Sequence, residues 1–303
     1  MEEKSTYETL EVERKDILKK TRIMYAIAAA LVAVAVVLLL LLMNNDMVVF
    51  IVCIPVIAAI ILFAMASKNR KTFGTKFKNL VVTSLVKEEL GEEAVYNPNG
   101  RFDINEINSL KAAAVPDRYH MEDFISCKYN DVPYAMCDCV LEEKHVTTDS
   151  RGHRTTTYVP YFKGRVIKID YKRELNIELK IANDAPKGFS PEKLQKFETE
   201  VIDFNKRFKC YVDDTEHGFY ILTPVMINKM MQLESMYRGG ICYIFKHNCL
   251  YVLINNSSDS LEINIGKPLD ENQLSRIRAD IVIASTIINE FSMDKDKYNN
   301  INL

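Results

Sequence analysis

Two nucleotide-binding signatures are missing from this chain. Neither G-x-x-x-x-G-K-[ST] nor G-x-G-x-x-G occurs, so neither common type of phosphate-cradling loop is supported. No serine or cysteine sits in a G-x-S-x-G elbow or a comparable nucleophile setting, which leaves a hydrolytic site without motif support. The net charge of −2 supplies no global basic field for nucleic acid. The seven cysteines, Cys53, Cys127, Cys137, Cys139, Cys210, Cys242 and Cys249, are odd in number and irregularly spaced. They read as reduced thiols, not as a disulfide framework. Tryptophan is absent, so an aromatic belt at a membrane surface would rest on Tyr25 and Phe50 alone.

The most telling absence is of charge. IMYAIAAALVAVAVVLLLLLM (23–43) and MVVFIVCIPVIAAIILFAMA (47–66) contain no Asp, Glu, Lys, Arg or His. Each is about 20 residues long, the length of helix that crosses a hydrocarbon core of roughly 30 Å. Only Asn44, Asn45 and Asp46 separate them. The reading is a transmembrane helical hairpin. A signal peptide has a shorter apolar region and a cleavage site, and core helices apolar on every face are rare in a domain of this size. Pro55 fits a membrane helix, whose neighbours re-satisfy the freed carbonyl. With none of these five residue types inside it, the hairpin is not expected to form an ion path or proton relay. Arg14, Lys15, Lys19, Lys20 and Arg22 precede the first span; Lys68, Arg70, Lys71, Lys76 and Lys78 follow the second. Basic flanks stay on the cytoplasmic side, so both termini are expected there, beside anionic lipid headgroups.

The expected organisation is a charged leader (1–22), the hairpin (23–66), a juxtamembrane amphipathic helix (67–91), an α+β domain (92–291) and a polar, disordered tail (292–303). A coiled-coil seam through Leu10, Ile17 and Met24 is short. The amphipathic helix presents Phe73, Phe77, Leu80, Val81, Val82, Leu85, Val86 and Leu90, mostly on one face, with Gly91 as its stop. Its face is expected to pack into the domain, because the basic residues cluster only near its start. Asp103 with Glu106 reads as a capping box. Period-two patterning then predicts strands at 122–129, 132–144, 157–171 and 175–182, with Gly164 as a bulge candidate. Phe162, Val166 and Ile167 alternate with polar residues as in a half-buried strand. Between strands, 146–157 reads as a long mobile hairpin tip.

Ser190, Pro191 and the Phe189/Leu194 staple predict a helix carrying Phe197, Val201 and Phe204. Strands are expected at 207–212, 219–222, 241–246, 249–254 and 261–266. Helices are expected after Thr223-Pro224 and after Asp270. Without a regular βαβ alternation, the fold class is α+β with a largely antiparallel sheet.

The spaced elements YNPNGRFDINEI, RYHMEDFI, YFKGRVIKID, FETEVIDFNKRFKCYVDD…YILTPVMINKMMQL and ICYIFKHNCLYVLI resemble a bacterial membrane-protein family known as domain of unknown function 3137. The resemblance covers about 79–266, and that family also carries two spans ahead of the domain. It implies a bacterial inner-membrane protein and, through neighbouring genes, a LemA-type membrane-protein partner. It implies no activity, so no catalytic residue carries over.

Four groups of residues invite chemistry. Cys137-Asp138-Cys139 with Cys127 and His145 lacks the second C-x₂₋₄-C arm of a zinc site, and buried thiols are the expected reading. His120, His145, His153, His217 and His247 are scattered. In Phe204-Asn205-Lys206-Arg207-Phe208 the rings are expected in the core and the cations in solvent. Met226, Met230, Met231 and Met236 make one helix Met-rich, which reads as core packing unless the helix is exposed. No catalytic, cofactor or metal residue is assigned. The expectation is a non-enzymatic, membrane-anchored scaffold binding a protein partner or lipid headgroups, with no nucleic acid. The alternatives are a membrane-tethered enzyme with a non-motif site and a small-ligand sensor.

Overall fold

The computed structural model describes residues 2–42, 47–173, 175–237 and 239–299. The expected loop Asn44–Asp46 lies outside the described residues. The chain divides into two compact units, 1–82 with 262–276, and 83–261 with 277–303.

The first unit holds α1 (Glu2–Leu41), α2 (Val48–Phe77, with Pro55 inside) and a π-helical turn, Lys78–Val82. Both helices are long and apolar enough to cross a membrane. Lys76 pairs with Glu13, and the Tyr25 and Phe63 rings lie 4.9 Å apart. These contacts run in opposite order along the two helices, so they form an antiparallel hairpin. Leu10, Arg14, Thr21, Ala28 and Ala35 are buried on α1, and Ala59, Ala66 and Phe73 on α2. The seven-residue spacing is that of a left-handed seam, and small residues let membrane helices approach closely. The expected seam residues Ile17 and Met24 are half-buried beside it. Away from the seam, Val36, Leu40, Ile54, Ile57 and Phe63 are exposed, a surface that water would penalise and lipid would not.

At the polar end of α1, Glu11 takes two hydrogen bonds of 2.7 Å from Arg14, which also donates to the Ile265 carbonyl at 2.7 Å. Glu11 further accepts from the Leu269 amide at 3.0 Å, and Lys78 pairs with Glu262 at 2.5 Å. Residues 261–266, expected as a strand, run without a ladder; the Ile265 carbonyl serves the hairpin base instead, and the Asn264 amide donates to Gln273 at 2.8 Å.

The second unit opens with α3 (Thr83–Leu90), stopped by Gly91 at φ +93°. The juxtamembrane segment is thus not one separate helix: α2 extends to Phe77 and a π turn precedes α3. The sheet comprises β1 (Val95–Asn97), β2 (Arg118–Tyr129), β3 (Val132–Thr148), β4 (Arg154–Asp170), β5 (Glu178–Ala182), β6 (Gln195–Phe197), β7 (Lys209–Val212), β8 (Gly240–Lys246) and β9 (Cys249–Asn255). Their order is β1-β2-β3-β4-β9-β8-β5-β7-β6, and every pairing is antiparallel. With α4 (Ile104–Ser109), α5 (Ile202–Arg207), α6 (Thr215–Ile221), α7 (Pro224–Met236), α8 (Glu271–Ile281), α9 (Ile283–Glu290) and α10 (Asp296–Asn299), the chain is α+β.

Both faces of the central strands are covered. Cys137, Cys139, Phe162, Val166, Cys242 and Leu253 join Phe102, Ile107 and Leu110 in one core. The other face buries Met136, Asp138, Arg165, Ile167 and Tyr243, with the Tyr243 ring 5.7 Å from Phe291. So β4 is buried on both sides, not half-buried. Gly164 is in register with Cys139, and the β3–β4 irregularity falls at Leu141/Glu142 instead. A Cβ on Gly164 would lie 1.9 Å from the Ile254 carbonyl oxygen, so this glycine permits close approach of β9 rather than a bulge.

Four further expectations are corrected. The supposed tip 146–157 is mostly ladder, with Val146 paired to Thr156 and Thr148 to Arg154. Thr suits strands, and the turn closes through Asp149, which accepts from the Arg151 and His153 amides at 2.8 and 2.9 Å. The helix expected from Ser190 is absent: Ser190 caps only a local turn to Glu192, β6 adds to the sheet edge, and α5 begins at Ile202. Residues 219–221 belong to α6, capped by Asp214, and Leu222 closes it, so no strand forms there. The segment read as a tail folds back at its start, since Met293 and Tyr298 are buried and α10 lies between 296 and 299.

Candidate functional site

The sequence candidates do not converge. Cys137 and Cys139 lie in the core, where burial pushes both thiols up, Cys137 to about 12. Cys127 donates to the Leu90 carbonyl at 3.6 Å, while His145 sits on the exposed arm of β3, 2.9 Å from Glu143. The other histidines are equally dispersed. His120 is 3.4 Å from Glu122, His153 is 3.0 Å from Asp149, and His217 is 3.0 Å from Asp213. His247 occupies the β8–β9 turn at φ +54°. Phe204 and Phe208 are buried and stacked at 4.7 Å, whereas Lys206 pairs with Asp203 and Arg207 with Glu234.

The structure does gather ionisable groups that no motif announced. Opposed positions on β3 and β4 place Arg165 against Asp138. Arg165 is buried, with Nε donating to Asp138 Oδ1 at 2.8 Å and Nη1 to the Asp280 carbonyl at 2.6 Å. Asp138 Oδ2 accepts from the Ser260 amide at 2.7 Å. Burial works against the arginine's charge, yet Asp138 and Asp280 hold its pKa above the ordinary guanidinium value. A pair this enclosed fixes a loop and a helix end to the sheet. It presents nothing to a substrate.

A second cluster lies where α4 meets β4 and β9. Asp103 caps α4 by accepting from Asn105 N at 3.0 Å. Glu106, expected to close a capping box, instead accepts from Tyr251 OH at 2.9 Å and pairs with Lys168 at 2.9 Å. Asp170 accepts from the Cys249 thiol at 2.9 Å. Register puts Lys168 opposite Tyr251 and Asp170 opposite Cys249, and K-x-D facing C-x-Y was the only sign the sequence could give. Burial and the Asp170 carboxylate push the Cys249 thiol up to about 12. Burial opposes the charge on Lys168, but Glu106 and Asp170 raise its pKa. A protonated thiol and a charged amine are the resting forms of a structural network, whereas a nucleophilic cysteine needs the opposite shift.

The remaining candidate is a surface. Thr223 caps α7, accepting from Met226 N at 3.3 Å, and Pro224 stands in its first turn. Met226 and Met230 face inward and are buried. Met236 is 69 % exposed, and with half-buried Met231 it lines a broad depression of about 600 Å³ alongside Arg207, Asn228 and Gln232. The Met-rich helix is therefore core on one side and exposed on the other.

Residues 160–293 match the model of the family described as "Protein of unknown function (DUF3137)". The DUF3137 match begins at Pro160, later than the resemblance near Asn79 implied, and runs past Gly266 to Met293. No curated protein matches the chain. Among solved structures, the crystal structure of the mycobacterial trehalose monomycolate transport factor A, TtfA, is similar at 8 % identity and a TM-score of 0.36, covering 67 % of this chain and 92 % of that one.

Proposed function

We propose that this protein is a membrane-anchored interaction protein that holds its α+β unit beside a membrane and docks a protein partner on the outer face of α7. The observation that supports it is the pairing of an apolar hairpin with the exposed Met231/Met236 depression, since flexible thioether surfaces adapt to varied partners. The proposed location is the bacterial cytoplasmic membrane, with both termini and the α+β unit inside. Arg14, Lys15, Lys20, Lys76 and Lys78 are drawn into ion pairs, so the orientation argument rests on Lys19, Arg22, Lys68, Arg70 and Lys71. A LemA-type membrane protein is the first partner to look for.

The test is photo-crosslinking of the full chain in native membranes, with a benzophenone side chain at position 236 and a control at exposed position 95. A discrete protein adduct from 236 alone, lost in Met231→Asp, supports the reading. Identical patterns from both positions, or adducts only to lipid, defeat it.

A further inference from the structure

Strands β3 and β4 run on past the rest of the sheet as a two-stranded arm. The pairs from Glu143 with Val159 to Thr148 with Arg154 lie beyond Arg118, where β2 starts, and beyond Gly164, where β9 begins to pair. A two-stranded ribbon is marginally stable in water without a further neighbour. This one is largely exposed, with Val146 at 50 % and Val159 at 43 %. Ladder geometry fixes which backbone groups are free. The Asp149 amide donates to the His153 carbonyl at 3.0 Å, and successive residues of an antiparallel strand turn their backbone groups to opposite sides. Thr155, Thr157 and Val159 therefore face β3, while Arg154, Thr156 and Tyr158 face outward. Pro160, next in the outward series, has no N–H. The outer edge of β3 is partly occupied: Asp117 donates its amide to the Glu142 carbonyl at 3.0 Å and accepts from the Lys144 amide at 2.8 Å. On the β4 edge the outward groups of Thr156 and Tyr158 have no partner among the described residues. The run TTTYV (155–159) holds no charge, proline or glycine to guard that edge.

We propose that the β4 edge pairs with the same edge of a second copy, the two strands antiparallel about a two-fold axis at Thr156. That register sets Thr155 opposite Thr157 and Arg154 of one copy opposite Tyr158 of the other. No like charges face each other, and an arginine meets an aromatic ring. Each outward residue exchanges backbone hydrogen bonds with its opposite number. An axis at Thr157 would instead set Arg154 against Pro160, which has no N–H to give. The Asp117 contacts on β3 keep arms from adding head-to-tail into a filament. The paired stretch is too short for a stable soluble dimer. The dimer therefore relies on the apolar helices, which hold both copies in one bilayer and raise their effective concentration. The pairing uses no residue of α7.

The test is disulfide trapping of the full chain in phosphatidylcholine vesicles. The background carries Cys53→Ala and Cys127→Ala, copper phenanthroline is the oxidant, and dimer is read on a non-reducing gel. Thr156→Cys should crosslink, because opposed residues that share backbone hydrogen bonds lie about 5.5 Å apart at Cα, within disulfide reach. Thr148→Cys on β3 should trap far less, since its counterpart lies three strand spacings away, roughly 14 Å. Adding Tyr158→Pro to Thr156→Cys removes an outward N–H and leaves the ladder to β3 in place. It should slow trapping about tenfold, the size of one lost backbone hydrogen bond. Adding Tyr158→Phe keeps both the amide and the ring and should leave the rate nearly unchanged. No dimer from Thr156→Cys, equal trapping at position 148, or a rate indifferent to Tyr158→Pro overturns the proposal.

Discussion

Replacing Arg165 by methionine should unfold the α+β unit at much lower temperature, and a second substitution should repair most of the damage. Arg165 and Asp138 are 4 % and 6 % exposed at the side chain and meet at 2.8 Å. Removing one member of such a pair strands the other's charge in the interior, a loss of about 3–5 kcal/mol. For a unit of this size each kcal/mol moves the midpoint by roughly 2–4 °C, so Arg165→Met should lower it by roughly 6–20 °C. The pair itself is worth far less. Arg165 Nη2 has no hydrogen-bond partner among the described residues, so the desolvation of the guanidinium is incompletely offset. Asp138→Asn removes the stranded charge but leaves an oxygen to accept from the Ser260 amide. The double variant Arg165→Met/Asp138→Asn should therefore recover at least half of the lost stability. Circular dichroism of the full chain in detergent micelles during heating measures all four corners of the cycle. A loss below about 1 kcal/mol in Arg165→Met, or no recovery in the double variant, would refute this account of the buried charge.

Phe204→Ala should destabilise the α+β unit by roughly 3–5 kcal/mol, because the ring is fully buried and stacked on Phe208; denaturant titration reads this, and a loss under about 1 kcal/mol would contradict core packing. In native protein at pH 7.5, iodoacetamide should spare Cys137, Cys139, Cys210 and Cys242, whose thiols are buried and shifted upward, and modify all four after denaturation; mass spectrometry of the labelled peptides decides. Lys297 binds its proton less tightly when folded, at about 8 against an ordinary 10.5. The unfolded chain therefore holds more protons between those values, and stability should rise with pH across that window. Lys297→Met should abolish that rise, and an identical pH profile in the variant would show that another group is responsible.

Legibility in the sequence followed how local the controlling physics was. The hairpin could be read because length and exclusion of charge suffice for it. The caps Asp103, Thr223 and Asp270 could be read because each side chain bonds an amide two or three residues on. The β8–β9 hairpin could be read because two short apolar runs, 241–246 and 249–254, meet at His247-Asn248. Ser190 shows where such grammar fails. Its hydroxyl accepts from the Glu192 amide at 3.2 Å, the bond a cap should make, yet Glu192 adopts φ +56° and the chain leaves the helical path. The strand β6 then gains ladder bonds from β7, and Phe197 stacks edge-on with Phe219 at 4.9 Å. Tertiary pairing outweighed a one-residue signal. At Gly218, where a Cβ would come within 2.9 Å of the Phe197 ring, the close contact favours α6 over the expected strand return.

Functional surfaces were harder to read than folds because one helix can carry opposite uses on adjacent residues. In α7, positions 226, 230 and 233 recur at helical spacing and are buried. Positions 225 and 236 lie on the other side and are 66 % and 69 % exposed. Composition counts all four methionines alike, so a Met-rich helix looks the same whether it fills a core or faces outward. The N-terminal turn of α7 adds a third environment. There Val225 and Met226 meet Lys297, more than 60 residues later in the chain. That meeting depends on the burial of Met293 and Tyr298 and on the Arg173 amide donating to the Tyr298 carbonyl at 2.7 Å. Residues 292–299 look like a polar tail because their apolar members are few, but two buried side chains are enough to anchor so short a segment. Once anchored, it carries Lys297 to the N-terminal turn of α7, where burial makes its charge costly.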